Sequence, residues 1–226
     1  MALKKYDLHN HTNISRCSVN DVEKVLRRAK KLGLSGIAIT DHNQIANALR
    51  AQEMNKDLDF EVIIGEEVMT DKGEILCYYL KERIKPGRYE DVVAEVRAQD
   101  AVCSIAHPFT GGMRKKAEMD FNEVFAGVSR PDAVETFNAR MITKEANRLA
   151  RELAEKYDLA QTGGSDGHFL FEIGSGRTVF DTEEASDLKE ALRKGVTLSC
   201  GRKKFPFVQR LLSGFVILFR KVFKRA

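Results

Sequence analysis

The chain has 226 residues, enough for one domain of ordinary size with its own hydrophobic core. Hydrophobic residues make up 43% and charged residues 31%, which excludes a disordered chain and indicates a soluble protein. The formal net charge of +4 comes from the end of the sequence: 202–226 hold eight basic residues and no acidic one, which leaves 29 basic against 33 acidic residues in 1–201. The overall charge therefore gives no support to nucleic-acid binding by 1–201.

The four cysteines are scattered along the chain without a Cys-x-x-Cys pair. This spacing predicts neither a disulfide framework nor a zinc ribbon, and it fits a reducing compartment. The first residues enter a strand-like segment without the apolar stretch of a signal peptide. We therefore expect a cytoplasmic protein.

Short apolar runs alternate with amphipathic segments along most of the chain. The first strand is predicted at 5–9, and a helix follows at 20–32, where apolar side chains recur every three or four residues. Further strands are predicted at 36–40, 61–66, 74–80, 101–106, 133–137, 159–162 and 178–180, and further helices at 44–55, 89–99, 122–126, 143–157 and 186–194. Repeated strand–helix units predict an α/β fold with a largely parallel sheet, either an open doubly wound sheet or a closed barrel.

All five histidines follow the carboxyl ends of predicted strands, together with acidic side chains and an amide. These residues are His9, His11, Asp41, His42, Glu66, His107, Asn138, Asp166 and His168. Active sites form at this edge in barrels and in open parallel sheets alike. Imidazole and carboxylate ligands together suit Zn²⁺, Mn²⁺ or iron, and there are too many of them for one tetrahedral ion. The sequence thus predicts a site for two or three divalent metal ions.

Six short motifs occur in the order in which a known family has them. They are Asp7-Leu-His-Asn-His11, Ile39-Thr-Asp-His42, Gly65-Glu66, Ala106-His-Pro108, Val134-Glu-Thr-Phe-Asn138 and Gly164-Ser-Asp-Gly-His168. In these motifs the chain resembles the polymerase and histidinol phosphatase (PHP) family of metal-dependent phosphoesterases, over residues 6–180 or so. The resemblance implies a distorted seven-stranded β/α barrel, which we assign to 1–201.

The resemblance also implies roles for the ligands. His9, His11, Glu66 and Asp166 correspond to the ligands of a first metal ion, with Glu66 bridging to a second. His107 corresponds to the imidazole ligand of that second metal. Three neighbours are expected to orient ligands or contact the substrate: Asp7, Asp41 and Glu135.

The remaining ligands are less regular. His42 and His168 correspond to a pair on a third metal ion, and Glu74 stands where relatives often place a further ligand, with a solvated strand residue as the alternative. The loop after His11 departs from the family pattern, because Arg16 and Cys17 stand where relatives usually offer an Asp or a His. Cys17 could bind Zn²⁺ as a thiolate or could be a small packing residue.

The resemblance predicts hydrolysis of a small phosphate ester, a nucleotide or a sugar or amino-alcohol phosphate, by in-line attack of a metal-bound hydroxide. Candidates for contacts with the substrate phosphate are Asn138, Arg140, Arg177 and Arg16. Asp166 or His168 could protonate the leaving oxygen. Two alternatives stay open: an exonuclease acting on short nucleic-acid ends, and a non-catalytic metal-binding scaffold module.

The tail, 202–226, is predicted to form a basic amphipathic helix, because its apolar residues recur at spacings of three and four. Its uninterrupted apolar run is far shorter than the roughly 20 residues of a membrane span. We expect it to pack across the bottom of the barrel or against another subunit. The alternative is peripheral attachment to an anionic membrane surface.

Overall fold

The computed structural model of the chain describes residues 2–110, 120–203 and 206–223. Within these ranges the polypeptide forms nine strands and seven helices. The strands are β1 (Leu3–Asp7), β2 (Gly36–Ile39), β3 (Glu61–Thr70), β4 (Gly73–Tyr78), β5 (Val102–Ile105), β6 (Ala133–Asn138), β7 (Ala160–Gly164), β8 (Gly176–Asp181) and β9 (Leu198–Gly201). The helices are α1 (Val22–Lys31), α2 (Ala46–Met54), α3 (Tyr89–Ala98), α4 (Phe121–Ala126), α5 (Lys144–Lys156), α6 (Leu188–Lys194) and α7 (Pro206–Phe223).

Helix α1 begins and ends where local residues satisfy its terminal backbone groups. The Asp21 side chain precedes it and accepts a hydrogen bond from Lys24 N at 3.1 Å. Gly33 follows it with a φ of +66°, a left-handed conformation that favours glycine. Between these ends, Val25 and Ala29 belong to a buried stripe that packs the helix into the core.

The nine strands form one sheet in the order β7-β6-β5-β4-β3-β2-β1-β8-β9. Strands β1 to β3 pair in parallel, as do β5 to β7, whereas β4, β8 and β9 run antiparallel to their neighbours. The sheet curls until β7 meets the chain that leaves β1. There, Leu8 N donates to Gly163 O at 3.4 Å, and Gly163 N donates to the Thr178 hydroxyl at 2.8 Å. The result is a nearly closed α/β barrel of the TIM type, which decides between the two forms left open above.

The strand count differs from the seven that the resemblance implied. Strands β8 and β9 extend the sheet beyond β1 as an antiparallel pair, with Val179 opposite Leu198. Strand β9 lacks apolar alternation because its side chains are exposed or half-buried at the edge of the sheet. A strand of this kind carries almost no signal in the sequence.

Apolar side chains pack on both sides of the sheet. In β2, Ile37 and Ile39 pack with the outer helices, whereas Ala38 belongs to the cluster inside the barrel. Helix α6 contributes Leu188 to that inner cluster, and its Lys189 binds Asp100, just before β5, at 2.7 Å. The amino-terminal end of the barrel is therefore filled, and the opposite end is left for polar side chains.

Helix α7 lies across the carboxyl end of the barrel. Arg140, just after β6, donates to Gln209 O at 3.0 Å and to the Ser213 hydroxyl at 2.9 Å, while Arg220 donates to Ser15 O at 2.8 Å. Both anchors on the barrel belong to loops that leave strands at this end. The expectation that the tail packs across the bottom of the barrel is therefore wrong. The tail's Lys204, Lys224 and Arg225 lie outside the described residues.

Candidate metal centre

Three side chains from two strand ends meet at the carboxyl end of the barrel, where His9 and His11 are buried below a cavity under α7. His9 and His11 follow β1, and the two-residue period of extended chain keeps both rings on one side. Their Nε2 atoms are 3.1 Å apart. Asp166, which follows β7, places Oδ1 at 3.3 Å from His11 Nε2 and 3.7 Å from His9 Nε2. The structure thus brings His9, His11 and Asp166 together, as the sequence suggested.

The carboxylate at the centre of this cluster belongs to Glu67. Its Oε1 lies 3.0 Å from His107 Nε2, and its Oε2 lies 2.8 Å from His42 Nδ1 and 3.4 Å from His11 Nε2. Glu66 points to the other side of β3, where its Oε2 accepts a hydrogen bond from Ile84 N at 2.9 Å. The assignment of Glu66 as a ligand is therefore corrected to Glu67. Strand β3 continues to Thr70, so neighbouring residues alternate between its faces, and the prediction missed by one residue.

Glu74 also reaches the cluster, from the start of the antiparallel strand β4. Its Oε1 lies 3.9 Å from His42 Nδ1, and its Oε2 lies 3.8 Å from His107 Nε2. The side chain is nearly buried, at 8% exposure. These distances place Glu74 beside Glu67 rather than among solvated strand residues.

His168 completes the set of histidines. One ring nitrogen each from His11, His42 and His168 form a group within 4.8 Å. Cys17 is buried and lines the cavity together with His42 and His168, so the loop after β1 places this residue beside the third group. Arg16, its neighbour, is exposed and does not line the cavity.

The donor atoms fit divalent metal ions. Four overlapping groups each place three ligand atoms within 4.8 Å of one another: His11, His42 and His168; His9, His11 and Glu67; His9, His107 and Asp166; and His42, Glu67 and Glu74. Nitrogen and carboxylate oxygen donors at such separations suit Zn²⁺, Mn²⁺ or iron. The described residues thus provide a mixed nitrogen and oxygen donor set for divalent metal ions.

Burial and neighbouring charges set the protonation states of these donors. Burial, with His42 and His168 nearby, lowers the pKa of His11, and burial lowers that of His168 to about 3, so both rings are neutral and can bind a cation. Burial opposes ionisation of Glu67 and Asp166, but the neighbouring histidines hold the pKa of both carboxyls well below their usual range. Protonation states of this kind suit ligands better than proton donors, which counts against Asp166 or His168 as the acid.

Two residues of the site have strained backbone. Asp166 has a φ of +51° and His107 a φ of +27°, in a region that residues other than glycine rarely adopt. Each such residue costs on the order of 1–3 kcal/mol and persists only where its surroundings hold it in place. Both backbones are thus held in conformations that turn a side chain into the cavity.

Neighbouring carboxylates orient the ligands, although not all as expected. Glu135 Oε1 lies 2.9 Å from His9 Nδ1, and its Oε2 accepts from His107 N at 2.9 Å, so one side chain positions two histidines. Asp7 instead accepts from Ser165 N at 2.9 Å and Gly174 N at 2.7 Å. It fixes the loops around the ligands rather than a ring.

Asp41 acts on the backbone too. It accepts from Thr12 N at 2.7 Å and from the Ser15 hydroxyl at 2.5 Å, and Ser15 Oγ in turn accepts from His42 N at 3.1 Å. The expectation that Asp41 orients an imidazole directly is therefore corrected: it holds the loop that carries Cys17.

Three of the predicted substrate contacts are bonded to other groups of the protein instead. Arg140 is buried and forms two hydrogen bonds to Glu172, at 2.8 and 3.0 Å, besides those to α7. Asn138 Nδ2 donates to Glu135 at 3.1 Å and lies 3.4 Å from Asp166 Oδ2, so it positions a ligand. Arg177 donates to Gly174 O at 2.8 Å and does not line the cavity. No sequence pattern had pointed to Glu172, which lies in an irregular loop.

The cavity between these ligands and α7 has a volume of about 320 Å³. Its floor is formed by His42, Glu67, His107, Asp166 and His168, and its roof by Arg210, Ser213, Gly214 and Ile217 of α7. Arg210, one of the eight basic residues of 202–226, adds a cation to this roof. A cavity of this size accommodates a small ligand.

The chain resembles known proteins in its sequence. Residues 144–197 match the family model described as PHP-associated. The chain is 34% identical over 190 residues to an uncharacterized protein of Methanocaldococcus jannaschii, a match that covers 81% of this chain and 75% of the relative.

Two solved structures share the fold. A two-domain protein of Bacteroides vulgatus, described as containing a predicted PHP-like metal-dependent phosphoesterase, matches 89% of this chain and 65% of its own with a TM-score of 0.72 and 18% identity. The lesion-specific endonuclease EndoQ of Pyrococcus furiosus matches 88% of this chain and 57% of its own, with a TM-score of 0.57 and 16% identity. At these identities the likeness concerns the barrel, and the chain spans about two thirds or less of each of these proteins.

Proposed function

Because this chain belongs to the PHP family, we propose that it is a metal-dependent phosphoesterase that hydrolyses a small phosphate ester in the cavity under α7. The observation that carries the proposal is the convergence of all five histidines with Glu67, Glu74 and Asp166 at one end of the barrel. Ligands from separate strand ends meet there within a few ångströms. Such an arrangement is costly to build without a cation to offset the buried charge.

The distances support a distribution of ligands over two or three ions. His9, His11 and Asp166 would hold the first ion together with Glu67. Glu67 faces His11 and His107 with different oxygens, which suits a carboxylate that bridges two ions.

His107 would then belong to the second ion, with Glu74 within reach. A third ion would lie between His42 and His168, with the Cys17 thiol beside them. The thiol would be a ligand for Zn²⁺ in particular, because thiolates are soft donors.

When bound, such ions neutralise phosphoryl charge and lower the pKa of a coordinated water. The protein's own cations would add to this effect. Arg140 and Arg210 both line the cavity, and guanidinium groups suit phosphate oxygens. Arg140 is already tied to Glu172 on the barrel side of the cavity, whereas Arg210 would bring its guanidinium to the substrate from α7.

The roof formed by α7 limits the size of the substrate. A cavity of about 320 Å³ accommodates a nucleotide or a sugar phosphate but leaves little room for a long duplex. An exonuclease acting on short ends is therefore the second candidate, and it would require α7 to move. The full set of ligands counts against a non-catalytic scaffold.

Phosphate release from an aryl phosphate and from a panel of nucleotides and sugar phosphates tests the proposal. We expect activity that strong chelators abolish and that Mn²⁺ or Zn²⁺ restores. The double variant His9→Ala with Asp166→Asn should lose both turnover and bound metal while keeping the circular dichroism of the parent. A metal-loaded protein that hydrolyses none of these substrates, or that binds fewer than two ions by elemental analysis, would contradict the proposal.

A further inference from the structure

Helix α7 turns its polar side toward the barrel and its apolar side outward. Gln209 and Ser213 are buried, and Arg220, seven residues further on, is half-buried. The outward face consists of apolar side chains that are each 41% to 67% exposed: Phe207, Val208, Leu211, Leu212, Phe215, Leu218, Phe219 and Val222. A helix on the surface of a globular protein normally has the opposite orientation. A contiguous exposed apolar face of this kind marks an interaction surface.

A basic cavity lies beside the start of α7. It has a volume of about 480 Å³ and is lined by Lys144, Arg148, Arg151, Arg202 and Lys203. Arg148 is paired with Glu145 and Glu152, so the other four cations provide the excess positive charge. Lys203 precedes α7 by only a few residues, so the basic cavity lies close to the amino-terminal end of the helix.

The charge identifies the occupant of this surface. Residues 202–226 contain eight basic residues and no acidic one. A second copy of the chain would place basic helices against each other, and like charges at an interface are unfavourable. Anionic lipids complement both parts of the surface, because their phosphates suit the basic cavity and their acyl chains suit the outward face.

We propose that the outward face of α7 and the basic cavity dock onto the surface of an anionic membrane. The helix would lie in the plane of the headgroups. No helix in the described ranges is long and apolar enough to cross a bilayer. The cavity of the metal centre lies on the opposite side of the same helix, about 10 Å from the headgroups, which is one helix diameter. The docking does not depend on the proposed phosphoesterase activity.

Vesicle flotation tests the docking with the full chain. We expect the protein to float with vesicles of equal parts phosphatidylcholine and phosphatidylglycerol, more weakly in high salt, and not with phosphatidylcholine alone. Phe215→Ser combined with Leu218→Ser should lower the partition coefficient by roughly tenfold or more, because two apolar side chains no longer enter the interface. Lys144→Gln combined with Arg202→Gln should lower it by about tenfold at low salt and flatten its salt dependence.

Matched variants control for composition and folding. Leu58→Ser with Val128→Ser removes two fully exposed apolar side chains away from α7 and should not change flotation. Lys5→Gln with Lys56→Gln removes two exposed cations, one within β1 and one between α2 and β3, and should likewise have no effect. Equal flotation with neutral vesicles, or α7 and cavity variants that float like these controls, would overturn the proposal. A lipid-free dimer that Phe215→Ser with Leu218→Ser dissociates, seen by sedimentation velocity without vesicle binding, would show that a second copy is the occupant.

Discussion

Glu66 and Glu67 are consecutive residues of β3, yet their carboxylates lie on opposite sides of the sheet. Glu67 Oε1 lies 3.0 Å from His107 Nε2 inside the cavity, whereas Glu66 Oε2 accepts from Ile84 N on the outer side. Both side chains are almost completely buried. The same residue type in adjacent positions therefore has two different tasks, and this makes the pair a natural internal control.

Glu67→Gln should lower phosphatase activity by at least about a hundredfold and reduce the bound metal, because the amide cannot take the place of the central anion among the histidines. Glu66→Gln should retain the metal content and activity of the parent. Burial raises the pKa of Glu66 to about 7, so the neutral amide resembles a form that this side chain already adopts. Elemental analysis and phosphate release measure both variants, and equal losses would show that the assignment of the central carboxylate is wrong.

Metal binding should release protons. Burial opposes the charged form of His9, but Glu135 and Asp166 raise its pKa well above the usual value, and Glu67 does the same for His42. In the metal-free protein these rings carry protons at neutral pH, and they must lose them to become ligands. Metal affinity should therefore fall as the pH is lowered. Calorimetric titration in two buffers of different ionisation enthalpy measures the release, and identical heats in both buffers would contradict it.

Arg140→Met should destabilise the protein by about 3 kcal/mol, because it leaves the Glu172 carboxylate buried without its cation. Burial raises the pKa of Glu172 to about 7 even with Arg140 present, so the loss should be largest above that pH and smaller below it, where the carboxyl is protonated. The backbone amides of 206–223 should also exchange hydrogen faster in Arg140→Met, because Arg140 anchors α7. Denaturant unfolding at several pH values measures the effect. Arg177→Met, which removes a single side-chain bond outside the cavity, should cost about 1 kcal/mol or less.

Gly164→Ala should displace the first histidine of the site. A Cβ at this position would lie 2.3 Å from His9 Cβ and 2.7 Å from His9 N, so the chain after β1 must move away from β7. We expect a loss of about 1–3 kcal/mol in stability and weaker metal binding. Gly87→Ala, at a position with no atoms within 4 Å, provides the comparison. Thermal unfolding with and without metal distinguishes the two, and a stable, metal-replete Gly164→Ala would show that β1 and β7 are not packed this closely.

Much of the site could be predicted because its ligands follow strand ends. His9 and His11 lie after β1, and Asp166 and His168 lie after β7, so the alternation of strands and helices was enough to place them at one end of the sheet. Glu66 was wrongly assigned as a ligand because the predicted end of β3 was too early in the chain. Strand β3 extends four residues past the predicted boundary. Because side chains alternate between the two faces of a strand, an assignment that is wrong by one residue names a side chain on the wrong face.

Other features depended on tertiary contacts that no local pattern encodes. The spacing of apolar residues in α7 predicted an amphipathic helix, but the pattern does not say which face turns inward. Arg140 looked like a phosphate ligand because it follows the motif that ends at Asn138, and only the position of Glu172 shows that its charge is already engaged. Strand β9 was missed because an exposed edge strand needs no apolar alternation.

The hydrogen bonds of Glu172 connect α7 to the backbone of the metal centre. Its Oε2 accepts from His168 N at 2.5 Å and Phe169 N at 2.9 Å, while Arg140 joins the same carboxylate to Ser213 of the helix. Movement of α7 would therefore shift the backbone that carries His168. By thermodynamic reciprocity, an ion held by His168 would favour one position of α7 to the same extent that this position favours the ion. Binding at the outward face of α7 that shifts the helix would then change the metal affinity of the site.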